Sequence, residues 1–222
     1  MRRIVTIILM MRVCAAFGQP EAGTSTQTPA VDELVKTAQV HAAMAQRPRS
    51  AEESQQRLAL ALETYEKALD AGAGSPLVLN PMAQLYLLSG NTERAVSLYH
   101  RSLAEDPQRL ATYSGLNDAF FTLGRLDSSV HYVEAARQIA PDNAGVRVQL
   151  GFLYLQAGAR ATARTQLDTA LLLDAGNPQA HKLLALWLTQ GQQIDSALVV
   201  YRKVVELDPR DVEAHNNVAF LL

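Results

Sequence analysis

From Val31 to the last residue, apolar side chains recur three and four positions apart, and no stretch alternates apolar and polar for more than a few residues. That spacing is the period of an α-helix with one buried face, so it predicts helices throughout and no strand. A longer period lies over the first. Ala61, Ala95, Ser129, Ala163 and Ala197 follow one another at a constant step, as do Tyr65, Tyr99, Val133, Leu167 and Tyr201. Met82, Leu116, Leu150, Leu184 and Val218 form a third row at that step, and Tyr86, Phe120, Tyr154, Leu188 and Leu222 a fourth. Pro107, Pro141 and Pro209 keep it too, with Ala175 at the missing place. Small, large and helix-ending residues that share one period mark a structural repeat.

One period shows what the repeat is. In residues 76–109, Leu79, Met82, Ala83 and Tyr86 fall on one face of a first helix. The segment Ser89-Gly90-Asn91 breaks it, because glycine relaxes the backbone at a helix end. A second helix carries Ala95, Tyr99, Ser102 and Leu103 inward, and Pro107 ends it. Ala83 and Ala95 are small enough for the two helices to cross closely. A single helical hairpin cannot bury its own apolar face, so several must stack. The predicted fold class is all-α.

The spacing resembles the tetratricopeptide repeat family, in which a first helix carries a large residue, a leucine, a small residue and an aromatic. An alanine, an aromatic and a helix-ending proline follow in the second. The segments LGFLY (150–154) and ALVVYRKVVELDP (197–209) carry the resemblance best. Four full repeats are expected at 76–109, 110–143, 144–177 and 178–211, with a degenerate first repeat over 31–75. In that one the first helix, about 31–47, is displaced by extra residues around RPRS (47–50). Ala175 in place of proline, Ser129 in place of alanine and Gly191 one place early depart from the pattern only at local turns. The resemblance implies a right-handed superhelical solenoid of antiparallel helix pairs.

The N-terminus has a different character. Residues 1–18 join a basic MRR start, the apolar run IVTIILMM and a small-residue AFG end, the layout of a secretory signal peptide. The expectation is export, to the periplasm, the cell envelope or outside the cell. The apolar run is short and Arg12 interrupts it, so a membrane span is not expected. A lipid anchor at Cys14 is not expected either, because Arg12-Val13 precede it where small apolar residues belong. Residues 19–30 (QPEAGTSTQTPA) read as a flexible linker.

Composition narrows the chemistry. A formal charge of −2, with no Lys/Arg run, gives no reason to expect nucleic acid as a partner. One cysteine excludes an internal disulfide framework and a cysteine-built zinc site. His41, His100, His131, His181 and His215 never form the i, i+4 pair with glutamate that a zinc enzyme uses, and they read as surface or partly packed helix residues. AGAGS (71–75) follows no strand and precedes no lysine, so it is a turn and not a phosphate loop. Trp187 reads as core or groove lining, and carboxylate pairs such as Glu52-Glu53 and Glu63-Glu66 as solvated faces. No catalytic residue, metal site or cofactor is expected, and the chain reads as non-catalytic.

Function must then reside in a surface. The resemblance implies that the first helices line a concave groove holding an extended peptide or a partner helix. On that basis the first full repeat supplies Asn80, Gln84 and Leu87, and the second supplies Asp118 and Phe121. Gln149, Phe152 and Gln156 come from the third, and Lys182, Leu186 and Gln190 from the fourth. The alternative for Phe121 and Phe152 is packing between neighbouring first helices. Asp118 and Lys182 are the only charges in the set. Family members that hold acidic C-termini use a clamp of lysines, asparagines and arginine, and here only Lys182 and Asn217 fall at clamp-like positions. That clamp is not expected.

The chain closes on VEAHNNVAFLL (212–222), the first helix of a further repeat in register, with Val218, Ala219 and Leu222 at packing positions. Repeat arrays normally finish on a polar-faced cap. The expectation is a truncated repeat from a longer parent, able to self-associate through its bare apolar side. Two function classes follow: a protein-binding scaffold, or the repeat arm of a larger enzyme or of a secretion or envelope-assembly protein.

Overall fold

The computed structural model describes residues 29–45 and 50–222. The expected signal peptide and nearly all of the expected linker lie outside them. The described residues form eleven helices and no strand. They are α1 (Pro29–Ala45), α2 (Ala51–Asp70), α3 (Pro76–Leu88), α4 (Thr92–Glu105), α5 (Leu110–Thr122), α6 (Leu126–Ile139), α7 (Ala144–Gln156), α8 (Arg160–Leu173), α9 (Pro178–Gln190), α10 (Ile194–Leu207) and α11 (Val212–Leu221). First helices start at Pro76, Leu110, Ala144, Pro178 and Val212, and second helices at Thr92, Leu126, Arg160 and Ile194. Both series advance by the constant step of the sequence rows. The helices fall into an N-terminal unit ending at Arg125 and a C-terminal unit beginning at Leu126.

Several starts have a local cause. Asn143, Asn177 and Asp211 precede α7, α9 and α11, and their side chains accept from the amides of Val146 (3.2 Å), Ala180 (3.0 Å) and Ala214 (2.9 Å). Asn91 does the same for α4 through Arg94. These caps satisfy amides that have no partner inside the helix. The turn after each first helix is equally regular. Gly90, Gly124 and Gly158 take positive φ there, and at the fourth turn Gln192 does so, with φ 58°. Gly191 stands one residue too early and stays at negative φ as the cap of α9.

Gln192 thus carries a side chain in the left-handed region, which costs L-residues about 1–2 kcal/mol. Gln192→Gly should remove that strain, less the added chain entropy of glycine, for a net gain of about 0.5–1 kcal/mol. A melting temperature raised by roughly 1–4 °C is the expected reading. An unchanged or lower midpoint would show that the turn is not strained.

A second device recurs in both units. At the fourth position of a first helix a polar side chain reaches back to the carbonyl of the inter-repeat turn. Tyr113 Oη donates to Pro107 O at 2.7 Å, and Arg147 donates to Pro141 O through Nε (3.2 Å) and Nη2 (3.0 Å). His181 Nε2 meets Ala175 O at 2.9 Å, and His215 Nε2 meets Pro209 O at 3.1 Å. A carbonyl only accepts, so both imidazoles carry their proton on Nε2. The turn carbonyls have no helical amide to bond, and these side chains supply the donor. Two of the histidines therefore hold turns.

The cores follow the rows of the repeat. In the N-terminal unit Ala61, Tyr65, Leu79, Met82, Ala83, Ala95 and Leu116 are fully buried. In the C-terminal unit Val133, Leu150, Ala163, Leu167, Ala197 and Val204 are. Glycine allows the closest crossings. A Cβ on Gly151 would lie 2.6 Å from Leu167 Cδ2, and one on Gly115 would overlap the ring of Tyr99.

The last helix departs from expectation. Ala214 is buried, and Val218 and Leu221 pack against Leu184, Ala185, Leu188, Ala197, Tyr201 and Val204. Ala219 and Leu222, expected to pack, are exposed, and so is Phe220. Nothing among the described residues covers their side of α11.

A candidate protein-binding face on the first helices

Within each unit first helices touch one another: α1 with α3 and α3 with α5 in the N-terminal unit, α7 with α9 in the C-terminal one. Each unit thus has its own layer of first helices, and the candidate residues lie on these helices.

In the N-terminal unit Asn80 is a tie between helices. Its amide donates to Thr112 Oγ1 (2.8 Å) and accepts from it (3.2 Å), and Thr112 meets Ser102 Oγ at 3.0 Å. Three helices are joined by this polar chain. Gln84 is exposed, while Leu87, Asp118 and Phe121 are half-buried. Asp118 accepts from the Asn117 amide at 3.0 Å.

In the C-terminal unit Gln149 and Phe152 are buried, Leu186 is half-buried, and Gln156 and Gln190 are exposed. The Phe152 ring is therefore closed to a ligand, while Phe121 keeps part of its surface in solvent. Lys182 needs a larger correction. The groove reading placed it among the ligand-facing residues, yet its side chain is 8% exposed and its Nζ lies 2.7 Å from Asp211 Oδ2 and 3.1 Å from Glu213 Oε2. Its charge is compensated inside the chain, tying α9 to the start of α11. Burial raises the Asp211 pKa, but the Lys182 ammonium and the amides of Ala214 and Glu213 outweigh it and hold the carboxyl below its ordinary value.

Two arrangements went unread in the sequence. Trp187 packs against the core of the C-terminal unit, as expected, and in addition Arg160 and Arg164 lie over its ring, with guanidinium carbons 4.9 and 5.1 Å from ring centroids. The indole Nε1 donates to Arg160 O (2.9 Å), and Arg160 Nη2 returns a bond to Trp187 O (2.8 Å). Arg160 Nη1 also donates to Gln190 Oε1 at 3.1 Å. The guanidinium thus meets the carbonyl end of α9, where a cation is favoured. The second arrangement is a phenol-to-carboxylate pair across successive hairpins, Tyr86 on Glu66 and Tyr154 on Glu134 (2.9 Å). Burial first, and the carboxylate second, push both phenols up. The shared offset of these two pairs was visible in the sequence; the arginines around Trp187 left no comparable signal. Glu66 is thus bonded, and Glu63 pairs with Lys67.

A sequence profile of the tetratricopeptide repeat matches residues 54–119 and 120–186, more than half the chain. The chain belongs to the tetratricopeptide repeat family. A cytochrome c-type biogenesis protein, CycH of Rhizobium meliloti (strain 1021), is 37% identical over 112 residues. That match takes in 49% of this chain and 29% of CycH, so the chain spans less than a third of the length of this curated relative. Among solved structures, the tetratricopeptide repeat protein TTC0263 of Thermus thermophilus aligns with a TM-score of 0.66 at 24% identity, covering 86% of this chain and 98% of that one. YrrB, a tetratricopeptide repeat protein with an unusual peptide-binding site, aligns at 0.59 and 18% identity, covering 90% of this chain and all of that one. At these identities the structural matches establish the fold, an all-α tetratricopeptide repeat solenoid.

The family's helix pairs are a scaffold for protein interaction, and that general role extends to this chain. Among the described residues no three His, Cys, Asp or Glu side chains converge as metal ligands, and no helix is long and apolar enough to cross a membrane.

Proposed function

We propose that this tetratricopeptide repeat chain is a non-catalytic scaffold that binds a peptide or partner helix on its first helices. The observation that carries the reading is the accessibility of those helices: Gln84 is exposed and Leu87 and Phe121 half-buried in the N-terminal unit, and Gln156 and Gln190 are exposed and Leu186 half-buried in the C-terminal one. Amides bond a peptide backbone without selecting its charge, and apolar side chains supply area at about 25 cal/mol per Å2 buried. The peptide-binding site of YrrB is in keeping with it.

A photo-crosslinking amino acid placed at Gln84 or Gln156 in the native host should capture a protein, whereas one at Leu172, on α8 and 87% exposed, should not. Adducts from Leu172 alone, or from none of the three, would sink the proposal.

Export belongs to the same proposal and rests on residues 1–18, outside the described residues. Mass spectrometry of the protein from its host should find a chain beginning near Gln19; an intact Met1 in the cytosolic fraction would remove the exported reading.

A second reading, the repeat arm of a larger envelope-assembly protein, is favoured by one observation. The relative CycH, a cytochrome c-type biogenesis protein, is more than three times as long as the part matched. A reading frame continuing past Leu222 in the gene would support it.

A further inference from the structure

The two units differ at one first-helix position. In the C-terminal unit Phe152, Leu186 and Phe220 occupy it in successive repeats, where the N-terminal unit has Gln84 and Asp118. Phe152 is buried, Leu186 is half-buried and Phe220 is 85% exposed. Contact between α7 and α9, and the Lys182 bonds from α9 to Asp211 and Glu213, set these three helices side by side. The row is therefore apolar along its length, with Gln156 and Gln190 exposed near the ends of α7 and α9.

The charges around it are already engaged. Arg147 is the cation of α7, and it is bonded to Pro141 O and to Gln166 Oε1 (3.1 Å). Lys182 is the cation of α9, and it faces two carboxylates, which leaves that cluster one negative charge in excess. Arg160, whose guanidinium reaches Gln190, is held over the Trp187 ring and bonded to the carbonyl of Trp187. An acidic ligand would find no uncommitted ammonium or guanidinium on α7 or α9, and would meet the half-exposed Glu213 carboxylate.

We infer that the C-terminal unit's face selects a peptide segment carrying apolar side chains and rejects acidic ones. This rests on the scaffold reading above and adds the chemical class of the ligand. Apolar burial is the driving force, so binding is nearly independent of salt, unlike a site that reads exposed charges.

The test is selection of random displayed peptides against the full chain, followed by fluorescence anisotropy on the winners as labelled synthetic peptides. The winners should be rich in Leu, Phe, Ile or Val and poor in Asp and Glu. Their Kd should change less than about twofold between roughly 0.05 and 0.5 M NaCl. Leu186→Asp and Phe220→Ser should each weaken binding at least about tenfold, which is about 1.4 kcal/mol. Phe220 is exposed, so its variant keeps the helical circular dichroism and melting temperature of the parent and carries the test if Leu186→Asp is unstable. Acidic winners whose binding collapses with salt would overturn the inference and leave the scaffold reading standing. So would winners that bind both variants as tightly as the parent. A selection that enriches no peptide would remove the scaffold reading, and this inference with it.

Discussion

Replacing Lys182 with alanine should destabilise the chain by about 3–5 kcal/mol, because it leaves the Asp211 carboxylate buried without its partner. In the parent, Lys182 Nζ sits 2.7 Å from Asp211 Oδ2, and both side chains are 8% exposed. Asp211 must stay in place, since its other oxygen accepts from the Ala214 amide and starts α11. The variant therefore keeps the cap and loses the counter-charge. The pH dependence separates this cause from simple loss of packing. The folded Asp211 pKa lies below the ordinary 3.8, so the ion pair's contribution is full above about pH 4 and is lost as pH falls through the lower folded value. Without Lys182 the buried carboxylate prefers its proton, and stability of the variant falls as pH rises past about 4. Parent and variant melts should thus converge in acid and separate toward neutrality. A penalty constant from about pH 3 to 7 would assign the loss to packing alone.

Gly115→Ala inverts a familiar sign. In the middle of a helix, glycine to alanine normally stabilises by about 1 kcal/mol. Gly115 lies inside α5, yet its added Cβ would overlap the Tyr99 ring, which is 3% exposed on α4 and has little room to move. Overpacking should outweigh helix propensity, for a net loss of about 1–3 kcal/mol in urea or thermal melts. Combining it with Tyr99→Leu tests the cause. The double variant should lose clearly less than the sum of the two single variants, because each relieves the clash the other meets. Additive losses would place the strain elsewhere.

How far the sequence reached depends on what kind of interaction was being read. Helix type, helix starts and turn positions follow from local rules, and the chain states them once per repeat. Apolar rows at three and four, caps at Asn143, Asn177 and Asp211, and left-handed glycines at 90, 124 and 158 act within a few residues of themselves. The exception at Gln192 was already marked by Gly191 standing one place early. Repetition also converts local structure into tertiary structure, since similar hairpins bury their faces only by stacking.

The candidate site was legible only as a set of positions. Membership of the first-helix face follows from period, but availability to a ligand does not. Lys182 read as groove lining because its partners, Asp211 and Glu213, stand 29 and 31 residues away, and no local rule joins them. Phe152 and Phe121 both fall on first helices, yet one is buried and the other half-buried. The arginines over Trp187 come from α8, in the hairpin before its own. Charge compensation and side-chain exposure depend on which neighbours arrive across the stack, and those distances exist only once the helices are packed.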